Sequence, residues 1–151
     1  MNLNLRNYKV AEVDKGKGFA KVIFDVSWGE AWKNSINCDG VYIFGKYKDK
    51  NGLWKHINLL LKSDEVFNYE DQSPGSFSVG EGGVAADMGI WVPDTNKGFF
   101  LFRTKDEGDV SLTGVTFQWD ISEFEEDIEN VEIKVFGLEM VYIPEEKHYV
   151  G

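Results

Sequence analysis

Cysteine is almost absent. Cys38 stands alone, which excludes an internal disulfide and a cysteine-based metal site and leaves the compartment unfixed by redox chemistry. Histidine is nearly as scarce: His56 and His148 lie far apart, and no pattern of supporting partners surrounds either one. Cys38 has no neighbouring histidine to activate its thiol. Basic charge is also low. Sixteen Lys and Arg against 26 Asp and Glu leave a formal charge of −10, which argues against a nucleic-acid binder and against docking on an anionic membrane surface. No apolar run approaches the roughly 20 residues that span a bilayer as a helix. The opening stretch Met1 to Asn7 lacks the basic region and long apolar core of a secretory signal.

What the chain does have is aromatic and aliphatic material in a period of two. Hydrophobic residues make up 42% and aromatics 15%, too many for a disordered chain, and 151 residues fit one domain. From Ala20 to Trp28 every even position is apolar and the odd ones are mostly polar, as in a half-buried strand. Val41 to Tyr47 is a second, more apolar strand. The Asn51-Gly52 pair after it predicts a hairpin, with Leu53 to Leu61 returning. Residues 62 to 89 hold Pro74 and five glycines and read as a long loop with one short strand around Phe77 to Val79. Ile90 to Val92 and Phe99 to Phe102 are short strands. Thr113, Val115, Phe117 and Trp119 share one face of the next, and Val131, Ile133 and Val135 one face of the last. Past Gly137 the apolar set shifts to Leu138, Met140 and Tyr142, which predicts a bulge or bend. Between Ser122 and Asn130 the acids permit one helical turn at most. The sum is an all-β chain: an antiparallel β-sandwich of about seven or eight strands, immunoglobulin-like or jelly-roll-like, with Val22, Phe24, Val26, Val115, Phe117, Val131, Ile133 and Val135 in its core.

The segments Phe24 to Trp28, Trp32-Lys33, Asp39 to Tyr47, Trp54 to His56, Gly98 to Arg103, Thr113 to Asp120 and Val131 to Pro144 together carry a resemblance. The chain resembles, from about Leu5 to Gly151, the β-rich N-terminal module of surface or secreted proteins from Bacteroidetes-like bacteria and their phages. There the module precedes a domain of the formylglycine-generating-enzyme (sulfatase-modifying-factor) family. The resemblance implies a sandwich module over 1–138 and the opening strand of a C-type-lectin-like domain over 139–151. Glu145-Glu146-Lys147 departs from the glycine-containing turn usual after that strand's proline. The family's catalytic cysteines and metal site have no counterpart in this chain.

Candidate binding residues follow from their neighbours. Trp28 and Trp119 end apolar strand faces and read as core. Trp32 and Trp54 sit beside turns with lysines, and Trp91 follows the long loop, so these three are the candidates for exposed, sugar-stacking rings. Phe67, Tyr69 and Phe77, in the loop from Lys62 to Gly89, are the candidate anchors for a partner chain, together with open sheet edges. The acids around Asp106 to Asp109 and from Asp120 to Glu129 lack the spacing of a calcium loop and read as a solvated face. No nucleophile, phosphate-cradling loop or metal-ligand set is present as a motif, so the expectation is no enzyme, no cofactor and no metal. The resulting expectation is a non-catalytic structural and display module of a phage virion surface protein, of head-fibre or decoration type. A virion protein assembles in the host cytoplasm and needs no secretory signal. Its partners would be other virion or surface chains, with a homo-oligomer expected, without nucleic acid or membrane insertion. The alternative is a carbohydrate-binding or adhesion module of a secreted bacterial protein resembling the formylglycine-generating enzymes, at the bacterial surface or outside the cell.

Overall fold

The structure is a computed structural model that describes residues 3–29, 40–60, 66–68 (backbone only), 77–93, 96–104, 108–122, 124 and 128–140. Among these, nine strands form two antiparallel sheets: β1 (Asn4–Asp14), β2 (Phe19–Trp28), β3 (Gly40–Lys48), β4 (Trp54–His56), β5 (Val66–Asn68), β6 (Met88–Trp91), β7 (Phe99–Arg103), β8 (Val110–Asp120) and β9 (Ile133–Met140). One sheet has the order β1-β2-β8. In the other, β9 lines one side of β3, while β7 and β4 share its opposite side and β6 and β5 continue beyond β7. The expected antiparallel sandwich is present. Among the described residues the only helical pieces are single 3-10 turns at Ala85–Asp87 and Ile128–Asn130.

Alternation places the core. Ala20, Val22, Phe24, Val26 and Trp28 of β2 point inward with Val115, Phe117 and Trp119 of β8. They meet Val41 and Ile43 of β3, Ile90 of β6, Phe99 and Leu101 of β7, and Ile133 and Val135 of β9. Phe117 joins the layers, with its ring centroid 6.2 Å from that of Phe24 in its own sheet and 5.6 Å from that of Phe99 in the other. Val131 lies just before β9 and is only half-buried, so it packs against the core's rim rather than within it.

The bulge falls elsewhere than Gly137. β9 pairs with β3 without a break, Gly137 opposite Ile43 and Met140 opposite Gly40. Gly137 serves a close approach: a Cβ there would fall 2.8 Å from Leu5 Cδ1, where β1 crosses β9. The real interruption is in β8. Gly114 has φ 79°, and its N–H donates to Asp25 Oδ1 at 3.0 Å, where the β2–β8 register slips. Val110 and Leu112 therefore face inward on the other parity, and Thr113, expected beside Val115, is exposed.

Other local expectations shift for similar reasons. The hairpin after β3 closes as a turn over residues 49–52, in which Gly52 alone takes the left-handed conformation, with φ 80°. Asp49 organises it, accepting from the N–H groups of Asn51 and Leu53, both at 2.9 Å, with Lys55 Nζ 3.2 Å away. The returning strand is short because Ile57 and Leu59 turn into the core and Leu59 bridges to Trp119 of the opposite sheet. The long loop contains β5 and a segment that lies along β8, where Ser78 and Thr116 exchange two hydrogen bonds of 2.9 Å. Glu139 and Met140 pair within β9, so the sandwich extends through Met140.

Replacing Phe117 by alanine removes a fully buried ring from between the sheets and should destabilise the fold by about 3–5 kcal/mol, read as a lower urea midpoint. The hydrogen bond from Leu53, helped by those from Lys55 and Asn51, holds the Asp49 carboxyl below its ordinary value of 3.8. A depressed carboxylate stabilises the fold above its unfolded pKa, and that contribution disappears as pH falls through the folded value. Asp49→Ala should therefore lower the melting temperature at pH 7, with the gap from wild type closing below about pH 4.

Candidate functional site

The two sheets present different surfaces to solvent. The outer face of the three-stranded sheet is mostly polar: Lys21, Asp25 and Ser27 of β2 and Ser111, Thr113 and Thr116 of β8, with Phe19 and Ile23 as apolar exceptions. The outer face of the six-stranded sheet is aromatic. In register across it lie Leu138 of β9, Tyr42 of β3, Phe100 of β7 and Trp91 of β6, and one step along, Phe136 faces Phe44. The rings form one connected series. Trp91 stacks on Phe100 at 5.2 Å, Phe100 touches Tyr42 at 4.9 Å, and Tyr42 lies 6.0 Å from Phe44. Phe44 is stacked between Phe136 at 5.2 Å and His56 at 5.6 Å. Phe136, Leu138 and Met140 are 38%, 55% and 39% exposed, and the other rings are half-buried against one another.

At the β4 end the same face turns basic. Lys46 lies opposite both Lys134 and His56, and Lys48 opposite Trp54. Lys134 Nζ sits 4.7 Å from the Trp54 ring centroid and Lys48 Nζ 6.0 Å away, both as cation–π contacts. Lys48 also reaches Glu132 at 3.9 Å. Burial, with Lys46 and Lys97 close by, holds the His56 imidazole below its ordinary value of 6.5, and burial raises the Tyr42 phenol above 10.0.

Of the residues singled out from sequence, Trp54 and Trp91 both lie on this face, at opposite corners. Trp32 and Tyr69 fall outside the described residues. Phe67 pairs through its backbone with Ile90 of β6, and its side chain is not described. Phe77 is not a surface anchor. It is 3% exposed and meets Phe99 edge-on at 5.3 Å, because the bridges at Ser78 and Glu81 hold its segment against β8. Those bridges, with Leu60 N–H donating to the Gln118 carbonyl at 2.9 Å, also close most of the β8 edge. Tyr42, Phe44, Phe100, Phe136, Lys46 and Lys134 were missed as candidates. Their signal was nonetheless present: a strand apolar at successive positions, such as Phe99-Phe100-Leu101-Phe102, has an apolar second face to cover.

Compared with family models, with curated proteins and with solved structures, the chain matches none. Among the described residues, no three His, Cys, Asp or Glu side chains gather as metal ligands would, and no helix is long and apolar enough to cross a membrane. A polar cleft of about 560 Å³ opens beside Tyr47, His56 and Trp119. Its two carboxylates hold turns: Asp49 caps the hairpin, and Asp120 Oδ1 accepts from the Ser122 N–H at 3.0 Å and the Ser122 hydroxyl at 2.7 Å.

A histidine whose pKa is lowered by folding takes up its proton more readily when unfolded, so stability falls as pH drops below 6.5. His56→Gln should flatten the decline in melting temperature between pH 7 and pH 5, measured by circular dichroism.

Proposed function

We propose that this chain is a non-catalytic binding and display module that seats another macromolecule on the outer face of its six-stranded sheet. The observation that carries this reading is the contrast between the two outer faces. A sheet with one solvated face is expected to alternate apolar and polar residues, as β2 does. Strands β3, β6 and β7 instead place aromatic rings outward as well as aliphatic side chains inward. Contiguous exposed apolar area of this kind marks interaction surfaces. The resemblance to modules preceding lectin-like domains supports placing this function at a particle or cell surface, with a virion surface protein as the preferred setting.

A carbohydrate partner is the second reading, since aromatic rows also line sugar platforms. Sugar stacking uses ring faces, and here the faces are largely spent on other rings. Phe44 has a ring on both sides, and Trp54 has lysine ammonium groups over its ring. That arrangement favours a polypeptide partner.

Substituting Phe136 and Leu138 together by serine gives up the Phe136–Phe44 stack and should destabilise the fold modestly, by about 1–2 kcal/mol read as a lower urea midpoint, while leaving the sandwich folded. The variant's retention on sedimented native particles or envelopes should fall at least tenfold. Equal retention of variant and wild type would overturn the assignment of this face, and wild-type binding on a glycan array, lost in the variant, would turn the reading to carbohydrate.

A further inference from the structure

Resting on that reading, we infer that the occupant of the face is an acidic polypeptide segment, its apolar side chains on the aromatic rows and its carboxylates at Lys46 and Lys134. Three observations point the same way.

The first is a cost that the fold returns only in part, through the Lys134 contact with the Trp54 ring. Lys46 and Lys134 are direct cross-strand partners, and like charges placed opposite each other destabilise an antiparallel pair. The ion pairs among the described residues are Lys21 with Glu12, Lys48 with Glu132 and Lys55 with Asp49, so no carboxylate among the described residues pairs with Lys46 or Lys134. In a chain with 26 acids and 16 bases, a carboxylate opposite one of these lysines was readily available. In the isolated fold the Lys134 ammonium has its cation–π contact with Trp54 but no carboxylate among the described residues, whereas an anionic partner would be held by both ammonium groups.

The second is ring orientation. Side chains stand roughly perpendicular to a sheet, so rings stacked on their neighbours across strands turn their edges outward. An aromatic edge carries the positive part of the ring quadrupole. It suits carbonyl and carboxylate oxygens better than the C–H faces of a sugar or a cation. Rings and lysines therefore select the same sign of partner.

The third is scale. From β6 to β9 the face spans three strand spacings, about 14 Å, and from Tyr42 to Lys46 it runs about 13 Å. An extended segment of about five residues covers that distance.

The test uses defined probes. A synthetic hexapeptide with phenylalanine, leucine and glutamate at alternate positions and serine between them, so that all three share one face of the extended chain, its lysine-for-glutamate counterpart, and polygalacturonate are titrated against the chain by tryptophan fluorescence, with Trp54 and Trp91 as reporters. The glutamate peptide should bind at least tenfold more tightly than the lysine peptide and weaken with added salt. Lys46→Glu should reduce that binding at least tenfold. Because it places opposite charges across the β3–β9 pair, it should leave the urea midpoint unchanged or higher, which a merely structural lysine would not do. If both peptides bind equally and Lys46→Glu has no effect while the Phe136 and Leu138 double substitution abolishes binding, the face is a binding site but the acidic partner is wrong. If polygalacturonate binds and the glutamate peptide does not, or if no probe binds, the inference is overturned.

Discussion

Phe117 stands where the two sheets meet, edge-on to Phe24 in its own layer and tilted against Phe99 in the other, with Phe77 closing the series beyond Phe99. Contacts of this kind add about 0.5–1.5 kcal/mol each beyond the area they bury. Their larger consequence is geometric. Once these rings hold the inner faces together, the pleat decides what every other residue in the sheets does. Val41 and Ile43 must go inward, so Tyr42 and Phe44 must go outward. The aromatic face is therefore the other side of the same strands that build the core.

That face is a hazard as well as a site, since exposed apolar area invites unwanted association. The chain limits the hazard elsewhere. Its charge of −10 keeps free copies apart. The β8 edge is hydrogen-bonded by the segments around Leu60, Ser78 and Glu81, and β1 is broken by two register shifts that spoil a flat edge for strand addition. With these edges blunted, the outer face with its lysine end is left as the distinctive surface. Face-to-face pairing of two copies with their basic ends aligned would set Lys46 and Lys134 against their own kind.

Much of this was legible in the residues. The period of two from Ala20 to Trp28, the apolar Val41 to Tyr47 segment and the turn at Asn51-Gly52 were enough for an antiparallel sandwich and for Phe24 and Phe117 in its core. β1 was not legible, because its alternation changes phase at Asn7, with φ 58°, and again past Val10, so no window shows a clean period. The bulge was sought at Gly137 because the apolar positions change parity there. In the fold that change is the outer face becoming apolar, while the true bulge at Gly114 depends on a hydrogen bond to Asp25, 89 positions away.

By itself the sequence determined most of the strands, β1 and β5 excepted, and which of their side chains seek burial, because both follow from local alternation and chain composition. It even recorded that some strands are apolar on both faces, although not which strands become neighbours. Only the tertiary structure decided that Tyr42, Phe100 and Trp91 form one row and that Lys46 stands opposite Lys134, and it took Phe77 from the surface into the core. The reason is that register across a sheet is set by pairings between segments tens of residues apart. Those pairings are fixed by the packing of two sheets against each other, and no single strand carries that information.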